Sequence, residues 1–165
     1  MKVNLGKFPN AGERRVKVNI DKFDTYNVDH TLALIILPML LQFRENHHGV
    51  PHDFVDDSGN NDINRQQSFD FYSDTQKSIE ECDRRWIETI DKMIWSFYQI
   101  MIDDDSKYHH GSPNYASIRQ SDGMYRMIDK NPDEHWYDAV GHDMHVERVK
   151  EGLALFGKYY NSLWD

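Results

Sequence analysis

"TQKSIEECDRRWIETIDKMIWSFYQIMI", residues 75–102, decides the fold. Ile79, Cys82, Trp86, Ile90, Met93, Phe97 and Ile100 recur at three- and four-residue intervals, the period that lines one face of an α-helix. Most residues between them are polar or charged. The stretch is therefore predicted as one long amphipathic helix whose apolar stripe faces a core. Ser78 with Glu81 fits a capping box just inside that start. Cys82 falls on the stripe and reads as a small core residue, since no helix N-terminus is evident beside it to activate a thiolate.

Two further helices are predicted to pack on this one. In "YNVDHTLALIILPMLLQFRENHHG", residues 26–49, a stripe of Leu32, Ile35, Ile36, Met39, Leu40 and Phe43 keeps helical spacing. Leu34, Leu37 and Leu41 make the other side apolar too, which predicts a helix buried all round. Asp29 is the expected N-cap, Gly49 the expected C′ residue, and Pro38 is expected to kink the helix by removing an amide. The third helix is predicted over 143–164, with Val146, Val149, Leu153, Phe156, Tyr160 and Leu163 on one face. Gly152 and Gly157 lower its helix propensity, so they are expected to admit another backbone closely.

The remaining segments are less regular. Residues 1–13 read as a flexible arm and 14–165 as a single helical domain. Within "RVKVNID", residues 15–21, apolar and polar side chains alternate, predicting a short half-buried strand. Residues 50–74 form a long polar loop carrying Phe54, Phe69, Phe71 and Tyr72, a length expected of a functional or a disordered segment, with the aromatic residues packing part of it. Asp122-Gly123 predicts a tight hairpin turn, and Asn131-Pro132-Asp133 another turn. The expected fold is mainly α: a three-to-four-helix bundle with a small β-element and long loops.

Composition narrows the functions. A net charge of −9 over 165 residues argues against direct nucleic-acid binding, which needs clustered Lys and Arg. The single cysteine excludes an intramolecular disulfide. No charged n-region followed by an apolar h-region is visible, so no signal peptide is expected. The apolar run from Leu32 to Leu41 is too short to span a bilayer, and a reducing cytoplasm is expected. No Gly-rich phosphate loop, nucleophile elbow or C-x-x-C pair is present.

The residues with chemical potential fall into a few clusters. In "IDDDSKYHHG", residues 102–111, Asp103, Asp104 and Asp105 stand at a helix C-terminus, where the dipole disfavours carboxylates. A divalent cation would relieve this, with His109 and His110 completing an N/O ligand set for Zn, Mn or Fe. The competing reading is a solvated helix end, because three consecutive helical residues point in three directions. No other cofactor is predicted. "HDMHVE" spaces His142 and His145 so that both share a helix face, yet it lacks the pattern of a zinc protease. Glu45 and His48 have the spacing of a di-iron bundle without the required second pair, leaving His48 as a helix cap. Trp86 and Trp95 would either fill the core or stack a flat ligand. Asp91, between them, needs a basic side chain or a ligand as partner. His48, Trp86, Asp91 and Trp95 are thus the candidates for binding a ligand or partner.

Three segments, "DKFDTYNVDHTLALIILPML", "RRWIETIDKMIWSFYQ" and "GLALFGKYYNSLWD", together with "HHGVP", resemble a family of small, mostly uncharacterised proteins of tailed bacteriophages. The resembling positions include Asp24, Asp29, Pro38, His48, Gly49, Pro51, Trp86, Asp91, Trp95, Gly157, Tyr160 and Trp164. The resemblance implies a viral origin and the host bacterial cytoplasm, and brings no activity with it. Two classes of function compete. One is a non-catalytic binder of a host or phage protein or a small molecule. The other is a small metal-dependent hydrolase using Asp and His from inter-helix loops. A homo-oligomer is also expected, since a helix buried all round needs cover on two sides.

Overall fold

The computed structural model describes residues 1–7, 13–56 and 71–164, except the side chains of 55, 56 and 71–78. The predicted role of Phe69 and the middle of the long polar loop lie outside the described residues. The chain is mainly α with small antiparallel sheets.

The long stripe builds the longest helix, α3 (Phe71–Ile102), which starts ahead of the position its periodicity suggests. Ser78 and Glu81 therefore lie inside the helix rather than at its cap, and Glu81 instead accepts from the Arg84 guanidinium one turn on. Cys82, Trp86, Ile90, Met93, Ser96 and Phe97 are buried along one face. Against that face pack α1 (Val28–Asn46), the short α2 (His52–Asp56) and α4 (Ala139–Tyr159). The centre is aromatic. Phe43, Phe54 and Tyr159 surround the Trp86 indole with ring centroids 6.4, 5.6 and 5.2 Å away, all tilted toward edge-to-face geometry. Such pairs add about 0.5–1.5 kcal/mol each beyond the area they bury.

The flanking helices depart from expectation at their ends and faces. Asn27, not Asp29, occupies the α1 N-cap position, and the helix stops at Asn46 with His47 rather than Gly49 closing it. The α1 backbone runs through Pro38 as one helix. It is not buried all round: Ala33, Leu37 and Leu40 face the core, while Leu34, Met39 and Leu41 are about half exposed. Among the described residues α1 packs chiefly on α3, from one side, so the surplus apolar residues stay on the surface. Helix α4 starts earlier than predicted because Asp138 caps it, accepting from the Gly141 amide at 2.9 Å. Its buried positions are Gly152 and Tyr159, with Leu155 and Phe156 packed on the core, whereas Leu153 and Tyr160 are exposed.

Three two-stranded antiparallel sheets complete the described chain. The first pairs β1 (Lys2–Leu5) with β2 (Val16–Asn19), so part of the expected loose arm is a strand. All eight of its residues are exposed, which corrects the half-buried reading. The second pairs β3 (His109–His110) with β6 (Trp136–Tyr137). The third pairs β4 (Tyr115–Arg119) with β5 (Tyr125–Asp129). Its turn uses Gly123 at φ +83°, a left-handed conformation that glycine adopts without strain, with the Asp122 carboxylate accepting from the Met124 amide.

Candidate functional site

The acidic run is a chain reversal. Helix α3 ends at Ile102, and Asp103 takes a left-handed φ of +47° while its amide still donates to the Gln99 carbonyl. Asp104 accepts from the Ser106 amide at 2.9 Å, and hydrogen bonds from the Ser106 hydroxyl and amide hold its carboxyl below the usual range. Asp105 opens a 3₁₀ turn over Ser106–Tyr108. The two histidines that follow lie on β3, whose successive side chains point to opposite faces. His109 packs on Tyr137 with centroids 4.9 Å apart, and His110 stacks on Trp136 at 4.1 Å. The structure therefore does not bring Asp103, Asp104, Asp105, His109 and His110 around a common point. Among the described residues no three His, Cys, Asp or Glu side chains gather as a metal site.

Two clusters that are separate in sequence do meet. Tyr108 is buried between His142 and His145 of α4, with centroids 5.3 and 5.8 Å away. Lys107 Nζ lies 3.4 Å from His145 Nδ1, and Asp105 Oδ1 lies 3.8 Å from His142 Nε2. Burial first, then the nearby Lys107 charge, push the His145 imidazole below its ordinary value. Trp95 meets His145 edge-on at 5.2 Å and carries the Arg148 guanidinium over its face at 4.0 Å. This seam ties the α3 exit to the first turns of α4.

The other predicted binding residues resolve into structure. Asp91 is paired with Arg44 through two hydrogen bonds of 2.5 and 3.0 Å, bridging α1 and α3 and raising the Arg44 pKa. Trp86 is fully buried, and its Nε1 has no hydrogen-bond partner among the described residues. It is out of reach of a ligand. The imidazole that closes α1 is His47, not His48. The His47 amide donates to the Phe43 carbonyl at 2.8 Å, and its ring reaches Arg44 O at 3.0 Å and Asp83 Oδ1 at 3.1 Å. His48 itself is exposed.

A groove between α1 and the end of α4 is the feature that the sequence reading did not isolate. Ile36, Met39, Leu40 and Phe43 form one wall, and Phe156, Tyr160 and Leu163 the other. It encloses about 530 Å³ and continues over α1 along Pro38, Gln42 and Asn46. Among the described residues no charged side chain lines it, and its polar side-chain groups are the Tyr160 hydroxyl and, along the extension, the Gln42 and Asn46 amides. Small-molecule sites usually add several convergent polar groups to fix orientation, so this lining suits apolar side chains of a polypeptide better. Its signal in the sequence is the excess of apolar residues around α1, more than one packed face can bury. No family model, curated protein or solved structure matches the chain.

Proposed function

We propose that this protein is a non-catalytic binding protein that acts in the host bacterial cytoplasm during bacteriophage infection and holds another protein through the α1–α4 groove. The groove carries the reading: seven apolar and aromatic side chains line an open surface that the chain's own described residues leave uncovered. Met39 and Tyr160 on its rim are 60 and 64 % exposed, the kind of Met and Tyr surface enriched at protein interfaces. The packing of α1, α3 and α4 is read as a helix bundle, which presents this groove on a rigid frame. The metal-dependent hydrolase draws on Asp103, Asp104, Asp105, His109 and His110, which do not converge among the described residues, so the groove favours the binder. The segment resemblance supplies the phage setting.

A photo-crosslinking amino acid at position 39, introduced into the full chain in phage-infected bacteria, tests this reading. The expected result is a discrete protein adduct that disappears when Tyr160→Glu is added. Absence of any protein adduct from position 39, with the chain present and folded, overturns it.

A further inference from the structure

We propose that the protein partner of the groove is the N-terminal β-hairpin of a second copy of this chain, exchanged reciprocally so that each copy covers the other. The inference rests on reading the groove as a binding surface and names its occupant. The β1–β2 register sets Val3 opposite Val18 and Leu5 opposite Val16. Directly opposed residues of an antiparallel pair share a face, and positions two apart return to it. Val3, Leu5, Val16 and Val18 thus form one wholly apolar face, while Lys2, Asn4, Lys17 and Asn19 form a wholly polar one. All four apolar side chains are exposed, from 38 % at Val3 to 59 % at Val16.

A two-stranded hairpin of four-residue strands is marginal in water unless its apolar face packs on something. Register is strongly specified only where one face is buried. The pattern here is that of a hairpin with a buried face, yet among the described residues no helix covers it. Among the described residues, the groove of Met39, Phe43, Tyr160 and Leu163 offers an apolar surface of matching character.

Charge selects the same partner. Residues 1–22 hold six Lys and Arg against two Asp and Glu, while the rest of the chain holds thirteen against twenty-six. The arm is therefore basic and the body strongly acidic, so an arm from one copy is drawn to the body of another. Two arms packed face to face would instead bring basic segments together. A reciprocal exchange repeats the contact under a twofold axis and closes without leaving either surface free.

Sedimentation velocity on the purified full chain, from micromolar to submillimolar concentration, reads this directly. The wild type is expected to dimerise and to weaken with added salt. Leu5→Glu with Val16→Glu, and separately Met39→Glu with Tyr160→Glu, should each weaken the dimer by at least about tenfold. All four positions are exposed, and an unchanged far-UV circular dichroism spectrum checks that each variant folds. Mixing the two double variants should restore a heterodimer, because one intact arm then meets one intact groove. A monomeric wild type, a dimer indifferent to the arm substitutions, or no heterodimer in the mixture overturns the exchange. If a variant misfolds, wild-type chain mass and salt dependence still decide between dimer and monomer. Loss of the dimer with a foreign-protein adduct retained at position 39 would sink the exchange alone. No adduct of any kind would sink the groove reading as well.

Discussion

Gly152 of α4 and Ser96 of α3 touch so closely that a methyl group at position 152 has no room. A Cβ built on Gly152 would fall 2.5 Å from the Lys92 carbonyl oxygen and closer still to the Ser96 hydroxyl. Ser96 is itself fully buried, and its Oγ donates to Lys92 O at 3.0 Å with Arg148 O 3.4 Å away. Gly152→Val is therefore expected to destabilise the fold by about 1–3 kcal/mol, the range for overpacking a close interface. Gly157 has open space around its Cβ position. Gly157→Ala should stabilise by up to about 1 kcal/mol through helix propensity alone. Urea unfolding of the two variants beside wild type checks both signs.

Asp103 occupies a left-handed backbone conformation at the α3 C-terminus, where a Cβ is disfavoured and a negative charge meets the negative end of the dipole. Asp103→Gly removes both penalties and is expected to raise stability by about 0.5–1 kcal/mol, measured as a higher denaturant midpoint. A loss of stability instead would show that the Asp103 carboxylate makes a contact that outweighs its strain.

Cys82 is buried beside Phe54, with Sγ 3.1 Å from the Phe54 carbonyl oxygen. Its thiol should resist Ellman's reagent in the native state and react only as the α3 core opens. Labelling should then accelerate in step with added denaturant. Rapid labelling in native buffer would contradict the packing of α2 on α3.

The depressed His145 pKa makes stability depend on pH. Burial and the Lys107 charge favour the neutral imidazole in the folded state, so the unfolded chain binds this proton more readily. The contribution is present above the unfolded value of about 6.5 and is lost as pH falls through the folded value. His145→Gln should therefore flatten the decline in stability on acidification from neutral pH. Nuclear magnetic resonance titration should place the His145 midpoint below that of an unperturbed histidine.

The Arg44–Asp91 bridge is bidentate but both side chains are more than 40 % exposed. A double-mutant cycle with Arg44→Met and Asp91→Asn should give a coupling of about 0.2–1 kcal/mol that shrinks with salt. A larger, salt-insensitive coupling would mean that the pair is desolvated, and a bound partner at this surface would then be the explanation to pursue.

Repetition along one segment was legible in the sequence. The α3 stripe, the Cys82 and Trp86 burial within it, the Asp122-Gly123 turn and the close approach at Gly152 follow from spacing and from what glycine permits locally. Such features depend on residues a few positions apart, whose relative placement the helix or turn itself sets. Tertiary structure alone decided which side of α1 meets α3, because periodicity marks apolar residues without saying which of them a neighbour reaches. It decided that Asp91 pairs with Arg44, that His47 rather than His48 closes α1, and that the acidic run and both histidines of "IDDDSKYHHG" diverge instead of converging. It also joined residues 2–5 to residues 16–19. Each of these depends on contacts between distant segments, where packing geometry and chain closure, not local pattern, choose among partners of equal chemistry.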